Sequence, residues 1–242
     1  MKNWITALAG LVIFAGCNTS HKTNSAASTS NATQMNTINS DWVSLFDGKS
    51  LDGWRTYQNK ESDSWSVMDG VIHCKGSVDD KSDMRADLIT NQQFENFELS
   101  LDWKLSPQGN SGIIYLFNED SAASYLTGPE YQLIDDANYP QKLEDWQKTG
   151  ANYAMNPAPT AAPKPIGEWN NTKILVKDGR VEHWLNDTKI VEYQIGSAEW
   201  QANKANGKWK DTSQYGTVKK GYIALQDHGS EAWFRNIKLR ML

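Results

Sequence analysis

Phe97, Leu99, Leu101, Trp103 and Leu105 alternate with Glu98, Ser100, Asp102 and Lys104. Side chains on a strand point to opposite faces in turn, so this spacing predicts a β-strand with one face in a core and the other toward water. Shorter segments repeat the pattern. Residues 173–177, a turn at Asp178-Gly179 and residues 181–185 read as a hairpin, and a second turn at Asn186-Asp187 leads into residues 190–193. Near the C-terminus, Tyr222, Ala224, Gln226 and His228 alternate with Ile223, Leu225 and Asp227, after which Gly229 turns the chain into a further strand at 232–239. No helical pattern of comparable strength competes. Many short strands joined by Gly- or Asp-rich turns predict an all-β fold of two antiparallel sheets packed face to face. One sheet of such a sandwich usually curves, and its concave face is the natural ligand surface.

The N-terminus follows other rules. Lys2 precedes a short apolar stretch at 4–15, and FAGC at 14–17 resembles the lipobox at which a signal peptide is cut and the cysteine is lipidated. Residues 1–17 are therefore expected to be a lipoprotein signal peptide, with Cys17 as the lipidation site. The apolar run is too short to cross a bilayer, so contact with the membrane is expected through a lipid anchor only. Residues 18–40 are Ser, Thr, Asn and Ala with almost no large apolar side chain, which predicts a flexible polar tether. No acidic cluster follows Cys17, and such a cluster resembles a surface-export signal of bacterial lipoproteins. Its lack points to the periplasmic face of the outer membrane. With Cys17 lipidated, Cys74 is the other of two cysteines and has no partner for an intrachain disulfide. Its setting in VIHCKG reads as packing.

Residues 41–242 are left as one domain, long enough to bury a real core. A formal net charge of −5 with no basic stripe excludes nucleic acid as a partner. The lysines at 204, 208, 210, 219 and 220 are interspersed with Glu199 and Asp211, and they read as a solvated surface.

Two stretches break the strand rhythm. Residues 138–168 hold five of the seven prolines, and a connection of that length inside a domain is usually functional or disordered. Trp146, Tyr153 and Trp169 lie among or beside those prolines, which predicts an ordered wall along a ligand. Residues 196–220 carry Trp200, Trp209 and Tyr215 and read as a short helix plus loop, whose aromatics are open to a role as core anchors at least as readily as to a functional one.

Chemistry concentrates on two strands. PEYQLIDD at 129–136 projects Glu130 and Gln132 to one side and Tyr131 and Leu133 to the other. A carboxylate beside an amide accepts from and donates to sugar hydroxyls at once. Gln226 and His228 share a face in the same way, so the four residues are expected to converge. Each has a plainer role open to it: His228 as the fixture of a turn, Glu130 as a loop cap or ion-pair partner. Arg235 alternates with Phe234 and reads equally as a substrate contact or a structural ion pair. Asp47, Asp135, Asp136 and Asp227 offer oxygen ligands, so a divalent metal is possible, but their spacing fits no ligand motif. His21, His73 and His183 show no ligand spacing either.

Taken in order, LFDGKSLDGW (45–54), GNSGIIYLF (109–117), PEYQLIDD (129–136), GEWN (167–170), VEHWLND (181–187) and LQDHG with FRNI (225–237) resemble the bacterial 3-keto-disaccharide hydrolase domain family. The resemblance runs from about residue 42 to the C-terminus. It implies a concanavalin-like jelly-roll sandwich and an enzyme that cleaves 3-keto-glycosides, supplied with oxidised sugar by a partner oxidoreductase. Glu130, Gln132 and Asp135 are also faintly similar to the Glu-x-Asp-x-x-Glu strand of jelly-roll glucanases. With Gln in the middle and the shorter Asp last, they do not suit the two-carboxyl retaining mechanism. A ketone at carbon 3 offers another route, because it acidifies the hydrogen at carbon 2 and permits elimination of the carbon 1 oxygen. That route needs a base, a proton donor and a group to stabilise the enolate. Glu130 and His228 are the expected acid/base pair, in either order, with Gln132, Gln226, Arg235, Tyr153 and Trp169 as sugar contacts. A non-catalytic carbohydrate-binding domain or a structural sandwich is the alternative.

Overall fold

The computed structural model describes residues 41–76 and 84–242. The signal peptide expected at 1–17 with its Cys17, and the tether expected at 18–40, lie outside the described residues. Thirteen strands follow in chain order: β1 (Val43–Ser44), β2 (Trp54–Thr56), β3 (Trp65–Met68), β4 (Val71–Cys74), β5 (Leu88–Thr90), β6 (Phe97–Leu105), β7 (Asn110–Phe117), β8 (Glu130–Ile134), β9 (Asn170–Lys177), β10 (Arg180–Leu185), β11 (Thr188–Gln194), β12 (Tyr222–Leu225) and β13 (Ala232–Met241). A helix, α1 (Ala198–Asn206), interrupts them after β11.

The strands form two sheets. One runs β11-β10-β9-β6-β13-β4-β3, with β1 beside the far end of β13, and the other runs β2-β5-β12-β7-β8. Every pairing is antiparallel. The two-sheet, all-β architecture read from the sequence is therefore present.

The period-2 pattern of β6 puts Phe97, Leu99, Leu101, Trp103 and Leu105 in the core. From the other sheet, Ile113, Tyr115, Tyr131, Leu133, Ile223 and Leu225 meet them in the same apolar cluster. Both predicted hairpins form. Asp178 and Gly179 have φ of 51° and 78°, and Asn186 and Asp187 have φ of 45° and 64°. A two-residue turn matching the twist of its strands needs positive φ at both positions, and Asn, Asp and Gly reach it at least cost.

The two irregular stretches are ordered. Residues 150–153 run along the outer edge of β8: Gly150 N donates to Gln132 O at 2.8 Å, Gln132 N to Ala151 O at 3.1 Å and Tyr153 N to Glu130 O at 3.0 Å. That pairing closes the sheet edge and buries every residue of β8. In the second stretch, the Ser197 hydroxyl caps α1 by accepting from Trp200 N at 3.1 Å. Trp200, Tyr215 and Trp209 then stack in sequence, with ring centroids 5.6 and 4.4 Å apart and planes within 9°. They are buried anchors, and they fix the loop that carries Lys208.

Cys74 is a buried free thiol within the apolar cluster, and burial raises its pKa. It packs, as its sequence context implies.

Candidate active site

The strand period decides which side chains of the five-stranded sheet leave the core. Tyr131 and Leu133 enter the apolar cluster, so Glu130 and Gln132 face the opposite side. On the paired strand β7, Gly112 lies opposite Gln132. A Cβ on Gly112 would collide with Glu130 Oε1, so glycine here makes the space the carboxyl occupies. Gln226 follows β12 and is pinned beside the same glycine. Its N donates to Gly112 O at 2.9 Å, and its carbonyl accepts from Ser111 Oγ at 2.8 Å.

Together these residues form the floor of a cavity of about 180 Å³. Asn110, Glu130, Gln132 and Gln226 come from the sheet, while Tyr125, Tyr153, Lys208 and His228 come from the loops around it. The Lys208 ammonium lies 4.5 Å from the Tyr153 ring centre and 4.7 Å from that of Trp209. Trp146 supports Tyr153 edge-on at 5.5 Å.

Burial sets the electrostatics. Glu130 is 6% exposed, and loss of water pushes its pKa up to about 8 even though Lys208 and Gln226 pull it back. Desolvation lowers the Lys208 pKa, and Glu130 opposes that fall. His228 is exposed at the rim, yet its pKa is lowered, first by desolvation of its ring and further by the Arg85 guanidinium. The amides are only partly satisfied. Gln132 Nε2 donates to Asn110 Oδ1 at 3.4 Å, while Gln132 Oε1 and Gln226 Oε1 are buried without a partner. Buried orphan acceptors are costly in an unliganded protein, and hydroxyls of a bound sugar would satisfy them. The cavity thus offers a proton-transfer group matched to neutral pH, a cation, two free carbonyl acceptors and aromatic walls.

Five of the residues expected from sequence meet here: Glu130, Gln132, Gln226, His228 and Tyr153. Trp169 and Arg235, also expected as sugar contacts, do not line this cavity. Arg235 lies on β13 and Trp169 immediately precedes β9, both in the eight-stranded sheet. The Arg235 guanidinium sits 4.0 Å over the Trp169 ring, and its Nε is 3.4 Å from Asp102 Oδ2. Alternation correctly sent Phe234 inward and Arg235 outward, but it carries no information about which sheet. Trp169 follows the proline-rich stretch where that stretch has already crossed to β9.

Lys208, Asn110 and Tyr125 were not expected. The alternation of Asn110 with Ser111 and Gly112 would have placed Asn110 on the Glu130 face. Lys208 had no such signal, because it sits among lysines that read as surface and is turned inward only by the stacked anchor beside it.

The four aspartates considered as metal ligands bind backbone amides instead. Asp47 accepts from Lys49 N and Ser50 N, Asp135 from Gln108 N, Asp136 from Thr149 N and Asp227 from Gly229 N. Among the described residues no group of three or more His, Cys, Asp or Glu comes together as a metal cluster.

An endo-β-1,3(4)-glucanase of family GH16 has a similar fold, with a TM-score of 0.50 at 12% identity over 84% of this chain and 92% of that one. The molecule is accordingly a jelly-roll sandwich with a polar cavity on one sheet. The chain belongs to the 3-keto-alpha-glucoside-1,2-lyase-like domain family, which matches residues 41–240. A protein of Bacteroides thetaiotaomicron named 3-keto-disaccharide hydrolase is 36% identical over 227 residues, 83% of this chain and 78% of that protein. A crystal structure from Parabacteroides distasonis, provisionally described as a glycosyl hydrolase, matches with a TM-score of 0.78 and 43% identity. That match covers 83% of this chain and 94% of that one.

Proposed function

We propose that this hydrolase cleaves glycosides whose sugar carries a ketone at carbon 3, 3-keto-disaccharides above all. The observation that carries this reading is Glu130, a single buried carboxyl of raised pKa placed beside a desolvated lysine. The cavity holds no second carboxyl among its described lining residues, so it lacks the pair that a retaining glycosidase requires. It suits carbon-acid chemistry instead.

Glu130 as carboxylate takes the proton from carbon 2, and the electron pair left behind is delocalised into the carbon 3 ketone as an enolate. The Lys208 ammonium stabilises the enolate oxygen. Collapse of the enolate breaks the bond between carbon 1 and the glycosidic oxygen, and His228 at the rim supplies the proton that oxygen needs. Water then adds at carbon 1 and a proton returns to carbon 2, so the net reaction is hydrolysis. Gln132 and Gln226 accept from sugar hydroxyls, and Tyr153 and Tyr125 flank the ring. An oxidoreductase that oxidises carbon 3 supplies the substrate. The relative named for 3-keto-disaccharides supports this reading.

Incubation with a 3-keto-disaccharide and with its unoxidised parent tests it. Turnover of the keto-sugar alone is expected, slowed by deuterium at carbon 2 if proton removal limits the rate. Efficient cleavage of the parent would return the site to ordinary glycosidase chemistry, and binding of both without cleavage would make it a carbohydrate-binding module.

Among the described residues no helix is long and apolar enough to cross a membrane. We place the protein on the periplasmic face of the outer membrane through lipid on Cys17, as the FAGC site suggests. Cys17→Ser is expected to move the protein from the membrane fraction to the soluble one, and unchanged fractionation would refute the anchor.

A further inference from the structure

A second chamber of about 340 Å³ adjoins the catalytic cavity, and Tyr125, Gln226 and His228 line both. Its wall includes Tyr57, Asp87, Asp227 and the small side chains of Ala122 and Ala123, with Lys60 and Arg85 completing it. Asp87 is held firmly. One carboxyl oxygen accepts from Asp227 N at 3.0 Å, and the other accepts from the Ser124 hydroxyl. Asp227 lines the chamber with Oδ1 accepting from Gly229 N and its carboxyl next to the Cys74 thiol, whereas Oε1 of Gln226, a residue only 7% exposed on the shared wall, is buried without a partner. An orphan acceptor on the wall common to both chambers, with the Asp87 carboxyl beyond it, points to a hydroxyl-rich ligand spanning both. Neither chamber alone reaches far into the range of about 300–1,000 Å³ typical of ligand sites, whereas the two in series lie well inside it.

We propose that this outer chamber is the subsite for the departing sugar of the disaccharide, with Asp87 and Asp227 as its hydrogen-bonding anchors and His228 on the shared wall beside the bond that breaks. The proposal rests on the keto-glycoside reading above and adds where the leaving half is held. Burial raises the Asp87 pKa to about 6, so near neutral pH its carboxyl is a strong acceptor for sugar hydroxyls already poised in a low-dielectric wall. The reacting ring sits over Glu130, and the second ring lies toward Asp87. Specificity for the leaving group then resides in residues that do no chemistry.

The experiment compares kcat/KM for a 3-keto-disaccharide with kcat/KM for methyl 3-keto-glucoside, whose leaving group is too small to fill the outer chamber. Asp87→Asn is expected to lower the disaccharide-to-methyl ratio about tenfold, the size of one hydrogen bond lost to a charged group. Ala122→Trp, which fills the chamber without touching the Asp87 hydrogen bonds, is expected to lower the ratio at least as far. Equal losses on both substrates, or an unchanged ratio in both variants, would overturn the subsite.

Wild-type protein that cleaves neither substrate would overturn the keto-glycoside reading, and a binding measurement then decides the subsite by itself. Free glucose is titrated into wild type and Ala122→Trp and followed by saturation-transfer NMR. Binding seen only in wild type supports the chamber as a sugar site, while equal binding, or none in wild type, removes it.

Discussion

Two buried polar clusters flank the five-stranded sheet, one between the two sheets and one on its outer side. On the core side, His183 Nδ1 donates to Gly150 O at 2.9 Å, so the neutral ring leaves Nε2 to accept from the Tyr115 hydroxyl at 2.7 Å. The Tyr115 oxygen accepts in turn from Tyr193. None of these atoms lacks a partner. On the pocket side, Gln132 and Gln226 keep unpartnered carbonyls beside a carboxyl that burial holds partly protonated. Both clusters are desolvated, and they differ in whether the protein satisfies them. A closed network spends its hydrogen bonds on position, here tying Gly150 and the wall of residues 150–153 to the core, whereas an open one keeps them for a ligand.

The largest test of that contrast is on catalysis. Glu130→Gln keeps the shape of the side chain and removes its proton chemistry, so turnover of a 3-keto-disaccharide should fall about 100- to 10,000-fold. Lys208→Met should cost about 100-fold by removing the charge opposite the enolate. Neither change should lower the melting temperature, because each removes a poorly solvated ionisable group. His183→Phe should do the reverse, costing about 2 kcal/mol of stability by leaving the Tyr115 O–H without its acceptor and Gly150 O without its donor. Steady-state kinetics with thermal unfolding on the three variants checks the pattern. A Glu130→Gln protein that loses stability and keeps its rate would put the carboxyl on the structural side.

Opposite pH slopes sharpen the comparison at a smaller scale. Burial lowers the His183 pKa from 6.5 to about 4 and raises that of Glu130 from 4.5 to about 8. Between pH 4 and 6.5 the unfolded chain binds the His183 proton more tightly, so this contribution to stability is present above pH 6.5 and lost as pH falls toward 4. Between pH 4.5 and 8 the folded protein binds the Glu130 proton more tightly, so its contribution is present below pH 4.5 and lost as pH rises to 8. Urea unfolding across pH should show Glu130→Gln gaining on wild type with rising pH. In the free enzyme, turnover needs ionised Glu130 and protonated His228 together, so kcat/KM should be bell-shaped, with its maximum between the lowered pKa of His228 and the raised pKa of Glu130.

The fold was legible because its signals are local. Alternation placed β6, the Asp178-Gly179 and Asn186-Asp187 turns fixed two hairpins, and Gly229 marked the turn into β13. The face of each site strand was legible for the same reason, which is why Glu130, Gln132, Gln226 and His228 were found. What alternation leaves open is the sheet to which a face belongs and the residues that loops bring over it. Lys208 and Asp87 depend on a stack of aromatics and on a contact between residues 87 and 227, neither of which has a period along the chain. Arg235 was lost to the first of these gaps, since the pattern that turned it away from Phe234 is the same on either sheet.

The smallest expected effect therefore belongs to the outer face of the eight-stranded sheet. Lys104 lies 5.4 Å from the Trp169 ring centre and 4.3 Å from that of Trp233, and Arg235 covers Trp169 from another side. Cations already occupy the aromatic faces that a sugar would stack on, and Arg235 and Asn236 both donate to Asp102. Like the His183 cluster, this surface has used its bonding capacity on itself. Trp169→Ala and Arg235→Ala should each cost about 0.5–1 kcal/mol of stability, the scale of an exposed cation–π contact, and should leave kcat/KM for a 3-keto-disaccharide within about twofold of wild type. A loss near that of Lys208→Met in either variant, with the fold intact by circular dichroism, would move substrate to the outer sheet and undo the contrast between open and closed clusters.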